Sequence, residues 1–174
     1  TRYPTPDGKA RLVRVAVPAP PMIAPELPLR LNSGRYRDQW HTMTRTGLSP
    51  RLLRHRREPL VEVHPADASV LGLAEGMIAR VSTATGSSLY RVAISDGQRR
   101  GELFVPMHWS DAMSSGGRTG MLPPQRVDPV SGQPAFKNNA AAIERFESDW
   151  RGFLVSVERP EIRSEERRVG KEGR

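Results

Sequence analysis

Apolar and polar residues alternate along this chain in short runs, and Gly, Pro, Ser or Thr interrupts almost every one. Period-two alternation over four to eight residues marks a half-buried strand. "ARLVRVAV" (Ala10 to Val17) is the first such run, and "LPLRLNS" is a second that ends at Ser33-Gly34, a pair suited to a sharp exit from a strand. Leu60 to Val63 alternate as a third strand, stopped by His64-Pro65. A short helix from about Ala66 follows, closed by Gly72. "MIARVSTA" and "SLYRVAIS" flank Thr85-Gly86-Ser87 as a hairpin, with Tyr90, Val92 and Ile94 on one face. "ELFVPMHW" adds a strand ending at Pro106, and Asn139 to Phe146 fits a strand or a helix, since period alone does not decide.

Between these runs lie less regular pieces. "PAPPMIAPELP" cannot form a ladder and reads as an extended connector. Thr46 to Pro59 is an arginine-rich loop or irregular helix. "SDAMSSGGRTG" is flexible by composition, and "LPPQRVDPVSGQPAFK" is a proline-punctuated loop. No internal repeat is present. Five to seven short strands with one or two small helices predict a mostly β fold, a compact barrel.

Composition narrows the function classes. With 174 residues, 37% of them apolar, the chain makes one domain rather than two. It has no cysteine, which removes disulfides, thiolate metal sites and iron-sulfur ligation from its own chemistry. No apolar run nears the roughly 18 to 20 residues that span a bilayer, and no signal-peptide pattern opens the chain, so it reads as soluble; the expected location is cytoplasmic. It lacks an initiator methionine, and Arg163 to Glu172 looks like the reading-frame translation of a sequencing adapter. The expected layout is a connector with a short strand over 1–27, a barrel domain over 28–150, a truncated linker over 151–162 and an adapter scar over 163–174.

Charge points to anionic partners. The net charge is +8, and Arg30 to Arg57 holds eight arginines against a single acid, Asp38. Arginine's planar fork suits phosphate oxygens better than a lysine does. The bland reading, a solvated basic face, stands beside this one.

Candidate chemistry is sparse elsewhere. His41, His55, His64 and His108 are not spaced as metal ligands, and His64 before Pro65 reads as a strand-end residue. His108 beside Trp109 is either a partly buried aromatic pair or a binding residue next to a Gly/Ser-rich loop. No phosphate-loop, nucleophile-elbow or dinucleotide fingerprint occurs. Asp38, Asp111 and Asp128 are flanked by turn residues and read as turn or cap acids. The remaining pattern is anion holding by Arg35, Arg37, Arg45, Ser33, Thr42 and Thr44, with Gln39, Trp40 and His41 offering hydrogen bonds and a stacking surface, and Lys137 within reach from a later loop. Such a set suits a phosphate-bearing cofactor and a single-stranded nucleic acid almost equally.

The order of the motifs separates the two. "LNSGRYRDQWHTMTRTG", "VEVHPADASVLGL", "GQRRGELFVPMHW" and "DPVSGQPAFK" follow one another as in the C-terminal cofactor-binding domain of assimilatory nitrate reductases, a branch of the dimethyl sulfoxide reductase family of molybdopterin enzymes. The likeness covers roughly Gly8 to Phe146, and its Asp-Gln-Trp-His-Thr-Met-Thr-Arg-Thr run is the specific part. The resemblance implies a double-psi β-barrel closing over a molybdenum bis(molybdopterin guanine dinucleotide) cofactor. It implies cofactor contacts by Ser33, Gly34, Arg35, Gln39, His41, Thr42 and Lys137, with His108 and Trp109 toward the substrate funnel. Gly120 stands where the family carries an asparagine, so that amide contact is missing. The implied reaction is two-electron reduction of nitrate to nitrite, with the metal-ligating cysteine and iron-sulfur cluster on other parts of the parent chain and an electron-donor protein or domain as partner; this piece alone would be inactive. The same domain in a formate dehydrogenase is a near alternative. A basic barrel binding single-stranded nucleic acid is the rival, and it needs outward aromatics, for which Tyr90 and Phe104 are the candidates.

Overall fold

The structure, a computed structural model, describes residues 2–12, 14, 19, 22–114, 116–129, 131–149 and 157. Its strands are β1 (Leu29–Gly34), β2 (Leu60–Val63), β3 (Ile78–Ser82), β4 (Ser87–Ile94), β5 (Glu102–Pro106) and β6 (Asn139–Arg145). They close in the order β1-β5-β2-β4-β3-β6. Two pairs are parallel, β1 with β5 and β2 with β4, and the others are antiparallel. Parallel neighbours require crossing connections, and two such pairs in one closed six-stranded barrel give the double-psi arrangement.

Alternation explains the closure, because every strand sends each second residue inward. Register places inward residues opposite one another: Leu31 with Leu103, Val61 with Val92, Val81 with Ile143. Where one partner is large the other is small, as at Ala79 with Tyr90 and Leu29 with Ala141, which fills the interior without crowding. All ten residues are buried. Each Val or Leu so enclosed contributes about 1.5–3 kcal/mol over an exposed one. The same alternation makes Asn139–Arg145 a strand, with Ala141 and Ile143 inside.

Two short helices lie outside the barrel wall, α1 (Pro50–Leu53) and α2 (Pro65–Val70). His64 caps α2, its Nδ1 accepting the Ala66 N–H at 3.0 Å, and Gly72 takes the left-handed conformation after its end. A ring nitrogen used as a cap agrees with the strand-end reading of His64.

Several expectations change. Residues 10–12 and 14 form no strand, and the rest of the Ala10–Val17 run lies outside the described residues. Ile94 shares the parity of Tyr90 and Val92 but sits at the strand's last position, past the enclosed interior, and is 38% exposed. The described residues of the "SDAMSSGGRTG" segment are tied down rather than free. Its Gly116 carbonyl accepts from the Ser88 hydroxyl at 2.7 Å and the Leu89 N–H at 3.0 Å, and a side chain at Gly117 would fall on Pro59. Thr119 then donates to the Pro106 carbonyl at 2.5 Å and meets the Tyr90 hydroxyl at 2.9 Å. The expected linker and scar lie outside the described residues, apart from residue 157. No helix among the described residues is long and apolar enough to cross a membrane.

Candidate functional site

The site forms where β1 and β5 leave the barrel side by side. Their parallel pairing ends at Ser33 with Val105 and Gly34 with Pro106, yet hydrogen bonding continues beyond the strands. The Met107 N–H donates to the Gly34 carbonyl at 2.9 Å, and the Tyr36 N–H donates to His108 Nε2 at 3.2 Å. Gly34 is required by close approach: a Cβ there would lie 2.9 Å from the Phe104 ring. A third segment joins from the last loop. Ser33 donates through its hydroxyl to the Phe136 carbonyl at 3.1 Å, and Lys137 Nζ donates to the Ser33 carbonyl.

Beyond Tyr36 the chain makes a tight loop. His41, Thr42 and Met43 all have positive φ, at 43°, 50° and 60°, a conformation uncommon for residues with side chains. Met43 is wholly buried and packs with Tyr36 and Trp109, whose rings meet edge to face at 5.7 Å. This small apolar cluster is separate from the barrel core. It anchors the loop from below, while Trp40 is left 56% exposed above it.

Arg35, Trp40, His41, Thr42, Met107 and His108 line a pocket of about 280 Å³. The Arg35 guanidinium lies 4.9 Å from the centre of the Trp40 ring, and the His41 ring sits 5.0 Å from the same indole. No carboxylate among the described residues pairs with Arg35. Arg37 differs: it holds Asp38 with two hydrogen bonds at 2.9 and 3.1 Å, and Asp38 also meets His55 at 2.8 Å. The Arg37 guanidinium keeps the Asp38 carboxyl below its ordinary range. Burial, followed by the nearby charge of Arg35, lowers the His108 pKa from its usual 6.5. Because Nε2 accepts a backbone N–H, the neutral ring carries its proton on Nδ1.

The structure therefore brings together Arg35, His41, Thr42 and His108, and sets Ser33, Gly34 and Lys137 beside them at the base of the same loop. Gln39 lies under the loop, 3% exposed, with Oε1 accepting from the Thr46 hydroxyl at 2.7 Å and Nε2 without a partner. Trp109 lines no part of the pocket; it is buried against Tyr36 and Met43, where its indole is out of water. Thr44 and Arg45 are exposed outside the pocket, and Gly120 is exposed with open space around it. Met107 and Thr46 are additions that the sequence did not single out. For Met107 the available signal was its place directly before His108. The nucleic-acid rival loses its aromatics: Tyr90 is inside the barrel and Phe104 is packed over Gly34 and against Tyr36, so neither offers a stacking face.

Comparison with known proteins identifies the family and the fold. Residues 29–140 match the family described as "Molydopterin dinucleotide binding domain". A nitrate reductase of Klebsiella oxytoca is 51% identical over 152 residues, spanning 86% of this chain and 17% of that protein. A nitrate reductase of Shewanella frigidimarina is 36% identical over 172 residues, spanning 87% of this chain and 18% of that protein. The chain thus spans less than a fifth of the length of these curated relatives. Among solved structures, acetylene hydratase from Pelobacter acetylenicus superposes with a TM-score of 0.60 at 21% identity, over 70% of this chain and 19% of its own, a likeness of fold. Since the family match runs from the first residue of β1 into β6 and takes in the whole pocket, the chain belongs to the Molydopterin dinucleotide binding domain family.

Proposed function

We propose that this domain is the cofactor-binding part of a molybdenum-dependent assimilatory nitrate reductase, and that the loop after β1 holds one end of a molybdopterin guanine dinucleotide within a bis(molybdopterin guanine dinucleotide) centre. The observation that carries the reading is Arg35, a guanidinium stacked on an exposed indole at the pocket with no carboxylate partner among the described residues. Such a group is ready for a pyrophosphate or ring oxygen. The residues fit the cofactor in other ways. Gln39 Nε2 is a buried donor lacking an acceptor, and Thr42 and His41 bring polar groups to the rim. A pocket of about 280 Å³ suits one portion of a dinucleotide rather than the whole.

Each residue has a defined task in this reading. Arg35 supplies charge, Trp40 a planar surface, and His108 a neutral Nδ1–H donor held in place by the Tyr36 N–H. Lys137 fixes the Ser33 carbonyl and leaves positive charge beside the loop, a field that also favours entry of the nitrate anion. When bound, the cofactor supplies the two-electron change that converts nitrate to nitrite. Because this chain has no cysteine, a metal-ligating cysteine and an iron-sulfur cluster would have to come from other parts of the parent protein, where this reading also puts the contact with a cytoplasmic electron donor. The high identity to a nitrate reductase favours nitrate as substrate.

The test is to produce the parent catalytic subunit with molybdate and follow viologen-driven nitrate reduction. Nitrite formation is expected. Formate oxidation without nitrate reduction would assign the domain to another oxidoreductase of the family.

A further inference from the structure

The pocket loop is closed by a residue outside the pocket, Thr46. Its hydroxyl oxygen accepts the Trp40 N–H at 3.3 Å and donates to Gln39 Oε1 at 2.7 Å. The directions are fixed by chemistry, because a backbone N–H only donates. One hydroxyl lone pair is therefore taken by the Trp40 N–H, and the single hydroxyl proton goes to the Gln39 oxygen. Gln39 then has its Oε1 engaged, and its buried Nε2 remains a donor.

The span closed in this way contains a run of left-handed backbone at the pocket. Trp40, His41 and Thr42 line the pocket, and His41, Thr42 and Met43 are the three consecutive left-handed residues. A run of this kind without a glycine persists only where its surroundings over-determine it. Met43 fixes it from below by burial. Thr46 is itself held by a 3₁₀ turn, Thr46–Leu48, in which the Ser49 N–H donates to the Thr46 carbonyl at 3.1 Å. The next residue, Gly47, is closely packed, since a Cβ would lie 2.7 Å from Met113 Cε and 3.1 Å from Met43 Cβ.

We propose that Thr46 is a positioning residue for cofactor retention, its hydroxyl clasping Gln39 and the Trp40 backbone so that the left-handed loop stays in its binding shape. This rests on the cofactor-binding reading above.

The parent subunit, produced with molybdate as wild type, Thr46→Val, Thr46→Ala and Thr46→Ser, is compared by two readouts. One is bound molybdenum and the guanine nucleotide released on hydrolysis. The other is tryptic cleavage after Arg45, which reports opening of the loop whether or not cofactor is present. Valine keeps the shape and loses the hydroxyl, alanine serves if valine does not fold, and serine keeps both hydrogen bonds. The expected result is that valine or alanine lowers retained cofactor about fivefold, the factor carried by a single hydrogen bond, and accelerates cleavage after Arg45, while serine behaves as wild type. Full cofactor in Thr46→Val and Thr46→Ala, unchanged cleavage in both, or a serine variant as defective as alanine overturns the clasp. A wild-type subunit without cofactor overturns the functional reading instead, and the cleavage pattern still judges the clasp.

Discussion

The Tyr36 backbone N–H donates to His108 Nε2 at 3.2 Å, joining the exit of β1 to the exit of β5 through a buried imidazole. The bond exists only while that nitrogen is unprotonated. Burial and the charge of Arg35 both oppose protonation, so His108 binds a proton less readily folded than unfolded. Its contribution to stability is therefore complete above the ordinary imidazole value and is lost as pH falls below about 6.5 through the lowered folded value. The thermal midpoint of the parent subunit should drop over that interval. Replacing His108 by Leu should lower the midpoint at pH 8 and reduce the dependence, and an identical pH profile in wild type and variant would contradict the assignment.

Gly34 is fixed by a side chain seventy residues away. A methyl group there would press on the Phe104 ring at 2.9 Å and approach Lys137 Nζ at 3.7 Å. Gly34→Ala should destabilise by about 1–3 kcal/mol, the usual cost of overpacking. Adding Phe104→Leu should recover part of that loss. Chemical denaturation of the single and double variants checks this, and additive effects would show that the two residues do not share the space.

Thr119 and Tyr90 give an ordered pair of effects. Because the Thr119 hydroxyl donates to the Pro106 carbonyl, the Tyr90 hydroxyl must donate to Thr119. Tyr90→Phe removes one bond and should cost about 0.5–1.5 kcal/mol. Thr119→Val leaves the buried Tyr90 hydroxyl and the Pro106 carbonyl without this partner, and should cost more, about 1–3 kcal/mol for each orphaned group. Equal losses in the two variants would mean that the segment after β5 is not tied down through Thr119.

Much of the barrel was legible because alternation is a local property. Leu60–Val63, the hairpin around Gly86 and the strand ending at Pro106 each carry their own period. The unreadable parts depend on contacts distant in sequence or on backbone shape. Nothing in "HTM" signals positive φ, since no glycine marks the turn. Gly and Ser in the segment after β5 read as flexibility, whereas its carbonyl at Gly116 is an acceptor for β4. Trp109 and His108 are adjacent and both buried, and only the packing of Tyr36 and Met43 decides that the imidazole reaches the pocket and the indole does not. The role of Thr46 likewise depends on two partners, Gln39 and the Trp40 backbone, that no local pattern announces.

Arg35 and Arg37, two positions apart, should behave differently. Arg37 is committed to Asp38 on an exposed surface, where such a pair contributes little, so Arg37→Ala should leave cofactor content near wild type. Arg35 faces the pocket with its charge uncommitted among the described carboxylates.

The most direct measurement is therefore the molybdenum and guanine-nucleotide content of the purified parent subunit carrying Arg35→Ala, beside wild type and Arg37→Ala. A loaded wild type, a loaded Arg37→Ala and a depleted Arg35→Ala are the predicted result; undiminished cofactor in Arg35→Ala, or none in wild type, would contradict the assignment of this loop as the cofactor grip.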